Sequence, residues 1–197
     1  SYGYNGAVIS TKKLDKIEVD GNKIVAGAGV RGTKLSKIAL EKVLSGLEFM
    51  IALPGSIGGE VFMNAGAHGQ DISMVLKSAK VYLPEKGLIT LTNDELEFSY
   101  RTSICQRKPY VVLEAEFELT PKPQDEIQHK MDENLEFRRD KQPALTLPNC
   151  GSTFRTPQGD SAGRLLDMVG AKSLKFGGMK VWENHANFII NEGDATS

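Results

Sequence analysis

The segment Pro54-Gly55-Ser56-Ile57-Gly58-Gly59, followed by Glu60-Val61-Phe62-Met63-Asn64-Ala65-Gly66-Ala67-His68-Gly69, constrains this chain more than any other. So many glycines at short intervals rule out a long regular helix or strand. They mark places where backbone turns hard or something packs closely on it. A serine among glycines at a helix start can present successive backbone N–H groups, an arrangement suited to a pyrophosphate. A tight turn between packed elements explains the same residues equally well.

A second glycine pattern, Gly27-Ala28-Gly29-Val30-Arg31-Gly32, matches G-x-G-x-x-G between a strand-like Lys23–Ala26 and a helical stretch. In a βαβ unit that would be a dinucleotide fingerprint. The following segment, Leu47 to Pro54, is not a clean buried strand ending in a ribose-binding acid. In a chain with 20 glycines a chance match is the better reading.

The remaining signals describe an ordinary globular chain. Its 197 residues are 40% hydrophobic and 25% charged, enough to build a core. Lys plus Arg number 24 against 25 Asp plus Glu, a net charge of -1. No field of that size recruits nucleic acid or an anionic membrane, and no apolar run approaches the roughly 20 residues of a membrane span. Cys105 and Cys150 are too few for a disulfide framework and read as buried free thiols in a reducing cytoplasm. Ser1 to Gly6 is a polar turn rather than a signal peptide, and no metal site is expected. The opening Ala7-Val8-Ile9 is strand-like, and Asp194-Ala195-Thr196-Ser197 reads as a helix cap and first turn. Both ends therefore suggest a segment of a longer protein.

Along the chain, Leu35, Ile38, Ala39 and Val43 share one helix face, capped at Thr33 and stopped by Gly46. Lys80–Leu83 and Leu88–Leu91 form a hairpin around Pro84–Gly87. Tyr110–Leu119 alternates, with Val111, Leu113, Ala115, Phe117 and Leu119 inward. A charged helix from about Gln124 to Arg139 puts Ile127, Met131 and Leu135 inside. Pro143 and Pro148 bracket a linker, which divides the chain into residues 1–142 and 143–197. Ser161 caps a helix over Ala162–Val169 that Gly170 ends. Gly177-Gly178 is a loop and Ala186–Asn191 a strand. Helices and strands mix without strict βαβ alternation, so the fold class is α+β.

Three further stretches stand out beside the glycine loop: Phe98-Ser99-Tyr100-Arg101-Thr102-Ser103, Gly151-Ser152-Thr153-Phe154, and His185-Ala186-Asn187-Phe188. With Gly46-Leu47-Glu48, Pro54–Gly59 and Asn64–Ala67, in this order, the chain resembles the UDP-N-acetylenolpyruvoylglucosamine reductase family. The resemblance implies the second lobe of a vanillyl-alcohol-oxidase-like FAD-binding domain joined to an α+β substrate-binding domain. A further flavin lobe and a C-terminal glutamate of the family would lie outside these residues.

The resemblance also implies chemistry. An enolpyruvyl ether, UDP-N-acetylglucosamine enolpyruvate, is reduced to a lactyl ether with NADPH and non-covalent FAD. Arg101 and Ser152 are the implied catalytic pair. Arg101 is a permanent cation for a developing enolate, and Ser152 is the proton donor, an acid weak enough to need its neighbours. Pro54, Gly55, Ser56, Ile57, Gly58, Gly59, Asn64, Ala65, Gly66, Ala67, Gly69 and Tyr100 are implied at the cofactor. Arg138, Lys141, Phe154, Arg155 and Asn187 are implied at the substrate. Arg155 and Thr156 depart from the family's usual lysine and asparagine. No tyrosine-bearing insertion lies between Arg101 and Ser152, which resembles the subtype lacking that loop. A monomer with no nucleic-acid or membrane partner is expected. Another flavin oxidoreductase of the same superfamily and a non-catalytic nucleotide-sugar binding module are the competing readings.

Overall fold

The structure, a computed structural model, describes residues 4–144, 146–193 and 195. The expected turn at Ser1–Gly3 and the expected cap at Asp194, Thr196 and Ser197 lie outside the described residues. The chain forms two compact units, one spanning Asn5–Leu135 and the other running from Glu136 onward together with Tyr4. The division falls inside a helix, ahead of the expected linker.

In the first unit, β1 (Ile17–Asp20) and β2 (Lys23–Gly27) make a hairpin, followed by α1 (Gly32–Glu41) and the short β3 (Leu44–Ser45). Next come α2 (Ile57–Met63) and the two-residue strands β4 (Gly66–Ala67) and β5 (Gln70–Asp71). The long strands β6 (Leu76–Leu83), β7 (Gly87–Thr92) and β8 (Val111–Glu118) follow, then β9 (Thr120–Pro121) and α3 (Gln124–Lys141). The main sheet runs β1-β2-β8-β6-β7, and every pairing in it is antiparallel. No βαβ unit follows Gly27–Gly32, which removes the dinucleotide reading of that motif. Phe49, Phe117, Ile24, Leu35, Leu47, Met50 and Ile57 fill the core beneath the sheet.

Several expected details differ. α1 is capped from Arg31 without a side-chain bond, so Thr33 is not the cap. The helix stops at Glu41, ahead of Gly46. Val43 adopts φ 56° and is exposed instead of buried. In β8 the register jumps between Lys80 opposite Glu114 and Val81 opposite Val112. The extra residue, Leu113, is a bulge that resets the alternation, so Val112 is buried while Val111 is exposed. On α3 the inner positions are Ile127, Met131 and Asn134, and Leu135 is exposed. Asn134 takes that place because its Nδ2 donates to the Glu48 carbonyl at 3.1 Å. Ala7–Ile9 is not a strand: Val8 and Ile9 are exposed, with no paired neighbour among the described residues.

The second unit holds a four-stranded antiparallel sheet, β10-β13-β12-β11. It is built from β10 (Asn149–Ser152), β11 (Lys175–Phe176), β12 (Met179–Val181) and β13 (Phe188–Asn191). α4 (Ala162–Met168) starts at Ser161, whose hydroxyl accepts from Arg164 N–H at 3.4 Å, and Gly170 follows it at φ 75°. Ala162, Ala171, Ala186, Phe188 and Ile190 are buried. The Gly151-Ser152 turn expected from sequence is a bulged strand end. Between Asn149 opposite Ile190 and Ser152 opposite Phe188 the register shifts, with Gly151 at φ 78°. Cys105 is buried, whereas Cys150 is exposed, contrary to expectation. No helix among the described residues is long and apolar enough to cross a membrane.

Candidate functional site

The glycine loop is stitched to the Gly27–Gly32 turn. Ile57 N–H donates to Val30 O at 2.8 Å and Gly58 N–H to Ala28 O at 3.0 Å, while Arg31 and Ser56 form an antiparallel bridge. The loop therefore does not present an unbroken run of N–H donors. Three stay available: among the described residues no backbone carbonyl takes the N–H of Gly55, Ser56 or Gly59. Pro54, Gly55 and Gly59 are exposed.

The glycines of the first motif are packing devices. A Cβ on Gly29 would lie 2.5 Å from the Thr11 carbonyl, and one on Gly32 would lie 2.3 Å from Glu60 Oε1. Glu60 itself was not singled out by sequence. It is 3% exposed, neither carboxylate oxygen has a hydrogen-bond partner among the described residues, and burial pushes its pKa up to about 7. The only sequence signal was an acid directly after two glycines and before Val-Phe-Met.

Beyond α2 the chain reverses through Asn64, which takes the left-handed conformation at φ 42°. Asparagine tolerates this better than most residues. Its buried side chain is fully engaged. Nδ2 donates to Ser99 O at 3.1 Å and Asp71 Oδ2 at 3.2 Å, and Oδ1 accepts from Ser73 N–H at 3.0 Å. Gly66–Asp71 is a hairpin whose two turn residues, His68 and Gly69, both have positive φ, as a type I′ turn requires.

Arg101 sits on this loop. The Ser99–Thr102 turn is closed by two backbone hydrogen bonds, at 3.1 and 3.0 Å, and carries Arg101 at φ 54°. Nη1 donates to Asn64 O at 3.2 Å and Nη2 to Gly66 O at 2.5 Å, and the guanidinium lies 5.0 Å from the Tyr100 ring centroid. Two bonds of a five-donor fork hold the group and leave the others for a ligand. Ser103, fully buried, donates to Phe62 O at 2.7 Å, and Gln106 Nε2 bridges Phe62 O and Arg101 O, each at 3.0 Å. Ser103, Gln106, Asp71 and Ser73 thus anchor the cation. Of these, sequence reading noted only Ser103, as part of a motif.

The structure brings Asn64, Gly66, Tyr100 and Arg101 together. In the other unit it brings Ser152, Phe154 and Asn187 together. Ser152, Phe154 and Arg155 are exposed. Asn187 is only 3% exposed, and both ends of its amide are occupied by the Phe154 backbone, at 2.8 and 2.9 Å. Arg138 Nη1 donates to Gln142 at 2.8 Å, and burial pulls the Arg138 pKa down. Lys141, one helical turn on, is exposed.

The residues present suit a flavin dinucleotide. The available N–H groups of Gly55, Ser56 and Gly59 can donate to phosphate oxygens, and an exposed aromatic and an anchored cation lie on the adjoining loop. Residues 1–92 match a family model described as "FAD binding domain", and residues 142–197 match "UDP-N-acetylenolpyruvoylglucosamine reductase, C-terminal domain". Fold and site together define a flavin-binding α+β protein with a reductase-type C-terminal domain.

Curated relatives narrow the class. A UDP-N-acetylenolpyruvoylglucosamine reductase from Halalkalibacterium halodurans is 46% identical over 194 residues, 98% of this chain and 64% of the relative. One from Bacillus licheniformis is 45% identical over 197 residues, 99% of this chain and 65% of the relative. The crystal structure of such a reductase from Thermus caldophilus superposes with a TM-score of 0.82 at 32% identity, covering 93% of this chain and 66% of that one. The chain belongs to the UDP-N-acetylenolpyruvoylglucosamine reductase family, and it spans 64–65% of the length of these curated relatives.

Proposed function

We propose that the full-length protein reduces UDP-N-acetylglucosamine enolpyruvate to UDP-N-acetylmuramate, with NADPH as the electron source. The observation that carries this reading is the Arg101 guanidinium, fixed on the carbonyls of Asn64 and Gly66 within the loop proposed to face the flavin.

Bound FAD would supply the hydride. Pro54–Gly59, Asn64–Ala67, Gly69 and Tyr100 are proposed to hold it, with Gly55, Ser56 and Gly59 donating to phosphate. Addition of hydride to the substrate's methylene carbon leaves enolate character beside its carboxylate. Arg101 stabilises that charge at no reorganisation cost, because its anchors set it beforehand. The Ser152 hydroxyl delivers the proton to the neighbouring carbon, completing net addition of hydride and proton across the double bond. Arg138 and Lys141 hold substrate anions, and exposed Phe154 and Arg155 contribute contacts. Residues 1–142 serve the cofactor and 143–197 the substrate. The compartment proposed is the cytoplasm, the state a monomer, and the role precursor supply for peptidoglycan, hence cell shape and division.

The test is NADPH oxidation by the full-length protein with and without the enolpyruvyl substrate. Substrate-dependent turnover that falls about 10²–10³-fold in Arg101→Ala is expected. Oxidation that ignores the substrate, or a purified protein without flavin, would refute the reading.

A further inference from the structure

In the C-terminal unit the β10–β13 ladder ends at Ser152 opposite Phe188, yet the strand after Ser152 does not drift free. Thr153 N–H donates to Asn187 O at 2.8 Å. Phe154 N–H then donates to Asn187 Oδ1 at 2.8 Å, and Asn187 Nδ2 donates back to Phe154 O at 2.9 Å. The amide imitates the paired N–H and C=O of one more strand residue, so a side chain extends the ladder by a rung.

Asn187 is itself held. Its N–H donates to His185 Nδ1 at 3.2 Å, which requires that ring nitrogen to be unprotonated. Burial, with the nearby charge of Lys172, lowers the His185 pKa and favours that form. The ring packs edge-on against Phe188 at 5.0 Å, and its other side lies against Gly163, where a Cβ would come within 2.8 Å of Cε1. The line from α4 through His185 and Asn187 to the Phe154 backbone is unbroken. Gly151, a bulge residue at φ 78° with nothing within 4 Å of where a Cβ would lie, is the joint on the other side of Ser152. A hydroxyl next to such a joint is located only if the chain beyond it is pinned.

We propose that Asn187 is a positioning residue: its double hydrogen bond to Phe154, fixed by His185, sets the place of the Ser152 hydroxyl, and Asn187 does not bind substrate. The proposal rests on Ser152 being the proton donor.

The test is a double-mutant cycle on the full-length holoenzyme, with flavin reduction by NADPH and substrate reduction measured separately, and amide exchange of Phe154 as an independent readout. Asn187→Ala should slow substrate reduction about 10–100-fold, the scale of a 1 Å misplacement. It should leave flavin reduction by NADPH and the substrate KM within about twofold, and deprotect the Phe154 amide. Added to Ser152→Ala it should cause no further slowing. Should Asn187→Ala not fold, Asn187→Asp keeps the acceptor for Phe154 N–H and loses the donor, and the same pattern is expected, weaker. A large rise in KM in both backgrounds, multiplicative slowing, or a Phe154 amide that stays protected would overturn the proposal. A Ser152→Ala enzyme that reduces substrate at the parent rate would instead remove the proton-donor reading on which it stands.

Discussion

Arg101 and Asn64 hold one another through backbone. The Arg101 guanidinium donates to the Asn64 carbonyl at 3.2 Å, and both residues occupy left-handed conformations, at φ 54° and 42°. Each takes a conformation most residues avoid, with a cost on the order of 1 kcal/mol that the surrounding bonds offset. The cation is thereby placed by the same loop that is proposed to meet the flavin.

Asn64 therefore governs the loop by its side chain and its backbone freedom, and two substitutions separate them. Asn64→Gly keeps the left-handed turn and loses three hydrogen bonds, whereas Asn64→Ala loses both. Urea unfolding should show destabilisation of about 2 kcal/mol for the glycine variant and about 1 kcal/mol more for alanine. Equal losses would mean that backbone strain at this position is negligible.

Glu60 makes stability depend on pH in the direction opposite to a paired carboxylate. Its pKa rises on folding from 4.5 to about 7. The folded chain thus binds more protons than the unfolded chain between those values. The contribution of Glu60 to stability is greatest below about pH 4.5, falls by about 3 kcal/mol as pH rises to 7, and then levels off. Glu60→Gln should flatten that slope and leave the protein more stable than its parent at pH 8. A parent and variant with parallel stability curves would contradict this account of the carboxyl.

Gly32 and Glu60 should be energetically coupled. A Cβ at Gly32 would stand 2.3 Å from Glu60 Oε1, and one at Gly55 would stand 3.0 Å from it, so the buried carboxyl sits between these two glycines. Gly32→Ala alone should destabilise by about 2 kcal/mol, and Glu60→Ala should recover most of that loss. Thermal unfolding of the four variants reads the coupling directly; strict additivity would show that the two sites are independent.

The inner face of α3 is equally testable. Met131→Ala should cost about 2–4 kcal/mol, whereas Leu135→Ala, at an exposed position, should cost under about 0.5 kcal/mol. Comparable losses would put Leu135 back on the buried face.

Ordered motifs were legible in the chain because each depends on local chemistry: glycines where backbones meet, an Asn and an Arg in tight turns, alternation in a half-buried strand. The helix capped at Ser161 and the hairpin around Pro84–Gly87 could be read for the same reason. What could not be read depends on partners distant in sequence. The bulge at Leu113 arises from pairing with β6, thirty-odd residues away, and it decides which valine is buried. Asn134 displaces Leu135 from the interior because Glu48 offers a carbonyl there.

The site divides along the same line. Sequence by itself determined the family and set apart the glycine loop, Arg101 and Ser152 as candidates, since these are residue types in fixed local order. Only the tertiary structure decided that Ile57 and Gly58 donate to the neighbouring turn, that Asn187 grips the Phe154 backbone, and that Glu60 is sealed between two glycines. Hydrogen-bond satisfaction and desolvation are settled by which groups meet in space, and separation along the chain carries no record of that.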